Sequence, residues 1–100
     1  MAIMISRRKL QPNEFDAWKE RFEADAANRR KAGCRGIRRF RSLTDPDEIV
    51  VLFDWASKDE AAKFVEAKLA SRPGVADAKR ADGTLAFVNE FYEELPPLES

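Results

Sequence analysis

The apolar positions divide the chain into predicted strands and helices. Strands are favoured where apolar side chains alternate with others or run together, at residues 2–8, 34–43, 48–55 and 84–93. A helix is favoured over residues 14–32, where aromatic residues recur on one helical face, and a second from residue 58. The order β-α-β-β-α-β predicts an α+β, ferredoxin-like fold with an antiparallel sheet and both helices on one face.

Polar residues, glycine and proline predict where these elements begin and end. Asn13 is suited to cap the first helix, and Gly33 is suited to end it. Residues 44–47, Thr-Asp-Pro-Asp, predict the turn between the second and third strands. Residues 57–60 have the spacing of a capping box, which predicts the start of the second helix. Residues 75–81 are expected to form a further short helix.

The predicted third strand is apolar on both of its faces. One face carries Ile49, Val51, Phe53 and Trp55, and the other carries Val50 and Leu52. Two amphipathic helices can cover one face of a four-stranded sheet, which leaves a sizeable apolar patch on the other. Such patches usually mark interfaces, and a second copy related by a two-fold axis is the simplest cover. The sequence therefore predicts a homodimer through the sheet face.

Length and composition agree with a small globular protein. The 100 residues, 44% of them hydrophobic, predict one domain over residues 1–100, with a folded core at 1–95 and an extended tail at 96–100. Lys and Arg total 18, as do Asp and Glu, so no net charge draws the chain toward nucleic acid or a membrane surface. The first ten residues do not have the pattern of a signal peptide, and no segment is long and apolar enough to span a membrane.

The absence of histidine is the most informative feature of the composition. It excludes histidine-based acid–base catalysis and histidine ligation of zinc or haem. With one cysteine, Cys34, no internal disulfide is possible, which agrees with a reducing, cytoplasmic location. No metal and no cofactor are predicted.

A basic segment lies between Asp25 and Asp45, where no acidic residue occurs. Ferredoxin-like RNA-binding domains stack bases on aromatic residues of the third strand, within a basic, glycine-containing pattern. Residues 48–55 read EIVVLFDW and lack that pattern. Nucleic-acid binding is therefore not predicted, and the arginines are interpreted as a solvated face paired with glutamates.

The sequence resembles the dimeric α/β-barrel superfamily, in particular small relatives of antibiotic-biosynthesis monooxygenases. The resemblance extends over about residues 15–62. It lies in the segments FDAWK with Phe22, AGCRG, RRFR, DPDE and VVLFDW, followed by Ser57, Glu60 and Ala61. It implies a homodimeric barrel with a pocket in each protomer between sheet and helices. Several superfamily members use a histidine where this chain has Phe64, and close relatives often have one at the position of Asp25.

The candidate site residues lie on the two predicted helices and on the second, third and fourth strands. The candidate catalytic groups are Asp25, Asp54, Asn89 and Tyr92, and the candidate ligand-binding residues are Trp18, Phe22, Arg38, Phe40, Trp55 and Phe64. The alternatives are also open: core packing for the aromatic residues, a salt bridge for Asp25 and a dimer contact for Tyr92.

Two hypotheses for function follow. The first is a cofactor-independent, monooxygenase-like or cyclase-like protein that acts on a small aromatic or polyketide-type compound, as the resemblance implies. The second is a non-catalytic homodimer that binds a small hydrophobic ligand or has a structural role.

Overall fold

The computed structural model describes residues 2–98 and contains one four-stranded sheet with three helices. The elements are β1 (Ala2–Lys9), α1 (Phe15–Ala24), α2 (Ala26–Lys31), β2 (Cys34–Arg41), β3 (Glu48–Trp55), α3 (Lys58–Ser71) and β4 (Phe87–Tyr92). All strand pairs are antiparallel, and the strand order is β2-β3-β1-β4. The predicted α+β, ferredoxin-like architecture is confirmed.

The core lies between one face of the sheet and the helices, and β3 contributes most to it. Ile49, Val51, Phe53 and Trp55 are at most 5% exposed. They pack with Met4, Trp18 and Ala61, among others, in a single cluster. Cross-strand neighbours share a face, so the β1–β3 register puts Met4 beside Phe53 and Ser6 beside Val51. This face is called the helix-covered face, and the other is called the opposite face.

The helical region predicted as one element, residues 14–32, is two helices. The break lies at Asp25, because the carbonyl oxygen of Phe22 accepts hydrogen bonds from the amide of Asp25 and from the Arg29 guanidinium. In an uninterrupted helix it would accept from the amide of Ala26. The prediction of Asn13 as cap is wrong: Asn13 has φ +65°, and Glu14 is the residue before α1. Gly33, with φ +114°, ends α2 as predicted.

The helix predicted at residues 75–81 is wrong. The amide of Ala86 donates to the carbonyl oxygen of Ala78 (2.8 Å), and that of Arg80 donates to Thr84 (2.7 Å). Residues 78–86 therefore form a small hairpin around Gly83, whose φ is +86°. Because residues 84–86 pair within this hairpin, β4 begins at Phe87 and not at Thr84.

The remaining predicted boundaries agree closely with the structure. β3 has the predicted bounds, and the Ser57 hydroxyl accepts from the amide of Glu60 (3.1 Å) to cap α3. Of the predicted tail, residues 96–98 have no regular structure, and residues 99 and 100 lie outside the described part. No helix within residues 2–98 is long and apolar enough to cross a membrane.

Candidate functional site

A cavity of about 360 Å³ lies between the helix-covered face and the helices. This volume falls in the range of pockets that hold small organic ligands. Strands β1, β3 and β4 form one wall, and the helices with the start of the following loop form the other. The lining residues are Met4, Ser6, Arg8, Trp18, Arg21, Phe22, Ala24, Asp25, Arg29, Phe53, Trp55, Phe64, Val65, Lys68, Leu69, Arg72, Val75, Phe87 and Asn89.

Five aromatic rings form a continuous run along this cavity. The ring centroids are 5.2 Å apart for Trp18 and Phe22, 6.0 Å for Phe22 and Phe53, 6.3 Å for Phe53 and Trp55, and 5.5 Å for Trp55 and Phe64. The run passes from α1 across β3 to α3. Aromatic surfaces of this kind favour a planar, apolar ligand, because offset stacking and edge contacts add to the area buried.

Trp55 places a polar group without a partner in this apolar wall. Its side chain is 0% exposed, and its Nε1 has no hydrogen-bond partner among the described residues. Buried indole N–H groups usually find an acceptor, and an unsatisfied one costs about 1–3 kcal/mol. A ligand atom that accepts a hydrogen bond from Trp55 would remove that cost.

Arg29 is a second buried donor in the lining. It is 3% exposed, its guanidinium carbon lies 3.7 Å from the Phe22 ring centroid, and its Nη1 donates to the Phe22 carbonyl oxygen at 2.8 Å. Its Nε has no partner among the described residues. Burial lowers the pKa of Arg29 and the Asp25 carboxylate opposes this shift, but an arginine starts so high that it remains charged.

Asp25 is the one carboxylate among the lining residues, and it is already paired. It accepts from the Lys68 ammonium group and from Asn28 Nδ2 at 2.7 Å. Burial acts to raise the pKa of Asp25, but the hydrogen bonds from Lys68 and Asn28 outweigh it and the pKa lies below its usual range. Asp25 is therefore ionised, and its pairing makes it a weak base.

Ser6 and Asn89 face each other across β1 and β4. The Ser6 hydroxyl, 6% exposed, donates to Asn89 Oδ1. This bond leaves the amide NH2 group of Asn89 as the donor that this pair can offer to a ligand.

Three arginines lie at the end of the cavity nearest the start of α1. Arg8 and Arg21 share the carboxylate of Glu14, with Nη2–Oε2 distances of 3.5 Å and 3.0 Å. Arg72 lies close enough to Arg8 to lower its pKa by charge repulsion, although burial is the larger cause of that shift. A smaller recess of about 170 Å³ adjoins this end, since Arg8, Val75 and Phe87 line both spaces.

The structure brings together six of the ten residues predicted for the site. Trp18, Phe22, Asp25, Trp55, Phe64 and Asn89 line the cavity, whereas Arg38, Phe40, Asp54 and Tyr92 do not. The register explains the separation, because Arg38 is opposite Leu52 and Phe40 is opposite Val50, on the face away from the helices. Asp54 and Tyr92 share that face, beside Ile3, and the Tyr92 hydroxyl donates to Glu90 Oε2 at 3.0 Å.

Sequence reasoning did not assign several polar lining residues to the site. Ser6 and Arg8 share a strand parity with Met4, so their place on the helix-covered face was available from alternation alone. Arg29 lies seven residues after Phe22, which is two helical turns and therefore the same side. The sequence gives no comparable indication for Arg72, because this residue follows the last residue of α3 and helical periodicity does not assign it a face.

The described residues contain no group of three or more His, Cys, Asp or Glu side chains positioned to hold a metal ion. Phe64, at the position where several superfamily members use histidine, lines the cavity with a ring that has no lone pair to offer haem iron. Phe64 therefore cannot act as an axial ligand of haem.

A family model for antibiotic biosynthesis monooxygenases matches residues 1–72. The chain belongs to the antibiotic biosynthesis monooxygenase family. The match includes β1 through α3, and hence both buried donors Arg29 and Trp55, whereas β4 with Asn89 lies beyond it. None of the curated proteins compared with this family member matches it.

Solved structures share the fold of this family member at low sequence identity. One is an antibiotic biosynthesis monooxygenase (TM-score 0.69, 16% identity, 96% of this chain and 100% of that chain covered). Another, from Nitrosomonas europaea, is assigned to the same group (0.68, 22%, 96% and 100%). A third is a mutant of MhuD with two manganese protoporphyrin IX molecules bound per active site (0.67, 14%, 100% and 100%). These similarities show the fold.

Proposed function

We propose that this protein is a cofactor-independent, monooxygenase-like enzyme that oxygenates a small aromatic or polyketide-type compound. The observation that carries the proposal is the buried indole N–H of Trp55, which has no partner among the described residues and belongs to a residue of the aromatic cavity lining. The buried Arg29 cation is in the same lining. Both groups favour a ligand oxygen that gains negative charge. Donors that are fixed in a dry site before charge develops are among the strongest sources of catalysis.

The chemistry would rely on the substrate's own carbanion. An activated methylene next to an aromatic carbonyl loses a proton, and the electron pair delocalises onto the carbonyl oxygen, beside Trp55 and Arg29. The carbanion reduces dioxygen and forms a C–O bond, which gives a hydroperoxide after protonation. Loss of water from that hydroperoxide leaves a new carbonyl group, so one oxygen atom enters the product and the other leaves as water. No external reductant is required.

The described residues offer no dedicated acceptor in the cavity for the proton of the first step, which therefore passes to solvent water. Asp25 is tied to Lys68 and Asn28, so stabilisation of the enolate carries most of the catalysis in this proposal. The pairing of Asp25 also favours the second candidate function, a non-catalytic binding protein for the same ligands. The two candidates differ in oxygen uptake alone, since both require the aromatic compound to bind.

The test is oxygen consumption with polyphenolic compounds that carry an activated methylene group. We expect catalysed uptake, and we expect Trp55→Phe to lower kcat by about 10²-fold while KM changes little, because one donor to the developing oxyanion is removed. Leu10→Val is the matched control: Leu10 is 1% exposed and lies outside the cavity lining, so its activity per folded molecule should match wild type. Binding without uptake would favour the non-catalytic candidate.

The protein is also proposed to be a homodimer through the opposite face of the sheet. Support comes from the apolar side chains there, which the helices leave uncovered: Ile5, Val50, Leu52 and Val88 are half-buried, and Phe40 and Tyr92 are each 44% exposed. Light scattering at micromolar concentration should give twice the chain mass of 11.4 kDa. A mass of one chain would contradict the dimer.

A further inference from the structure

We propose that the ligand of this cavity is an aromatic carboxylate, and that Arg8, Arg21 and Arg72 bind its anionic group while the aromatic run holds its rings. The inference deepens the proposed function and rests on it. It assigns a substrate class to the site and gives these three arginines a binding role.

The first observation is an excess of positive charge that the rest of the chain does not share. The cavity lining includes Arg8, Arg21, Arg29, Lys68 and Arg72, against the single carboxylate of Asp25. The whole chain has equal numbers of acidic and basic residues. The excess of positive charge is therefore confined to the cavity. Its attraction for an anion is stronger there than on an open surface, because the cavity wall has a low dielectric constant.

The second observation is that one carboxylate, that of Glu14, is shared by two of the three arginines. Glu14 is within 3.5 Å of Arg8 and 3.0 Å of Arg21, and no ion pair among the described residues includes Arg72. The Arg8 side chain is 18% exposed, so water compensates for little of its charge. Burial lowers the pKa of Arg8, the Glu14 carboxylate opposes this shift, and the charges of Arg72 and Arg21 add to it. A ligand anion would add to the stabilisation that Glu14 gives. The planar guanidinium group matches a carboxylate in paired hydrogen bonds.

The third observation is the position of this cluster relative to the rings. Met4 and Arg8 both line the cavity and are four residues apart on β1, which corresponds to about 14 Å along the strand. Met4 is opposite Phe53, within the aromatic run, and Arg8 is opposite Ile49 at the other end. A ligand with a ring system at one end and a carboxylate at the other fits this arrangement. The adjoining recess, which Arg8 also lines, adds further space at this end of the cavity.

The experiment compares three anthraquinones that differ in one substituent: the 2-carboxylate, the neutral 2-carboxamide and the 2-sulfonate. Both tryptophans of the chain line the cavity, so quenching of their fluorescence reports binding directly. We expect the carboxylate to bind about tenfold or more tightly than the carboxamide at low salt, and the advantage to shrink near 0.5 M NaCl. An equally tight sulfonate would show that the arginines recognise charge without the planar carboxylate geometry and would overturn the assignment to carboxylates.

Arg72→Gln should remove most of the preference for the carboxylate over the carboxamide. We expect the affinity for the carboxylate to fall about tenfold and that for the carboxamide to fall no more than twofold. Arg8→Gln is the second variant, and it is read the same way if it folds. Arg30→Gln is the matched control, since Arg30 is exposed on α2 and lines neither cavity. Equal loss of both compounds in Arg72→Gln would assign Arg72 a structural role and overturn the inference.

The outcomes separate this inference from the function on which it rests. Equal binding of carboxylate and carboxamide overturns the anionic assignment and leaves an aromatic-binding cavity intact. Failure of all three compounds to bind overturns the proposed function and the inference together.

Discussion

Both faces of β3 carry apolar side chains, yet they have different surroundings. Ile49, Val51, Phe53 and Trp55 are 1%, 3%, 5% and 0% exposed beneath the helices. Val50 and Leu52 alternate with them and are only half-buried. The alternation of side chains therefore does not by itself decide which residues of β3 are buried. Burial depends on whether helices pack over that face of the strand. Three helices lie over the first face, and within residues 2–98 no element lies over the second.

The faces also differ in how polar groups are placed among the apolar ones. On the helix-covered face, Arg29 and Trp55 keep buried donors without partners beside a ligand-sized cavity. On the opposite face, polar groups are exposed and pair laterally, as with Arg7 and Glu90 at 3.7 Å. The first arrangement favours a small enclosed ligand, whereas the second favours a broad surface such as a second copy of the chain.

The largest expected effect is the loss of a core ring from the helix-covered face. Phe53→Ala should lower the free energy of unfolding by about 3–5 kcal/mol, because it leaves a void under α1. Denaturant titration gives the value. Ile37→Ala is the control on the same face: Ile37 is the cross-strand partner of Phe53 but is 37% exposed, so the loss should be less than half as large. Equal losses would contradict the assignment of the core to β3.

A charge on the opposite face should act on assembly and much less on folding. Leu52→Glu would place a charged carboxylate in the proposed dimer interface. The cost of its desolvation, only partly offset by Arg38 on the neighbouring strand, should weaken the dimer by about 3 kcal/mol, or more than a hundredfold in dissociation constant. Sedimentation over a dilution series measures this change.

Ala62→Glu introduces the same residue on the exposed side of α3 and should leave the dimer unchanged. If Leu52→Glu assembles as well as Ala62→Glu does, the opposite face is not the interface.

The architecture and part of the site were predictable from the sequence, because they depend on the period of the apolar positions and on which strand residues share a face. The bounds of β3 and the cap at Ser57 follow from local patterns, and so does the common helical face of Trp18 and Phe22. The break at Asp25 was not predictable in this way. It depends on a bond from the Arg29 guanidinium to the Phe22 carbonyl oxygen, which competes with the helical ladder.

The sheet face of the remaining predicted site residues could not be derived from the sequence alone, because it depends on which strands pair and in which register. Arg38 and Phe40 have the parity of Leu52 and Val50, and only the β2–β3 register puts that parity on the face away from the helices. Likewise, residues 78–81 lie in the segment predicted as a helix, but residues 78–80 pair with residues 84–86 in a hairpin, which the local pattern does not reveal. Register and long-range pairing are properties of the folded sheet.

The smallest expected effect concerns the ion pair between Asp25 and Lys68, which connects the junction of α1 and α2 to α3. Because its hydrogen bonds hold the pKa of Asp25 below the usual range, folding is favoured while the carboxylate is ionised. This contribution is fully present above the unfolded pKa, near 3.9, and is lost as pH falls through the lower pKa of the folded state. The Asp25 side chain is 21% exposed, so Asp25→Asn should cost about 0.5–1 kcal/mol near pH 7.

The pH dependence separates this electrostatic link from simple packing. Unfolding free energies of wild type and Asp25→Asn should differ near neutral pH and converge below about pH 4, as the wild-type carboxylate becomes protonated. Asp77→Asn is the matched control, since Asp77 is exposed and belongs to no ion pair among the described residues; its stability should follow wild type at every pH. A difference for Asp25→Asn that stays constant into acid would mean that shape, and not charge, holds α3 to the junction of α1 and α2. The helix-covered face would then be closed by packing, as the opposite face is proposed to be.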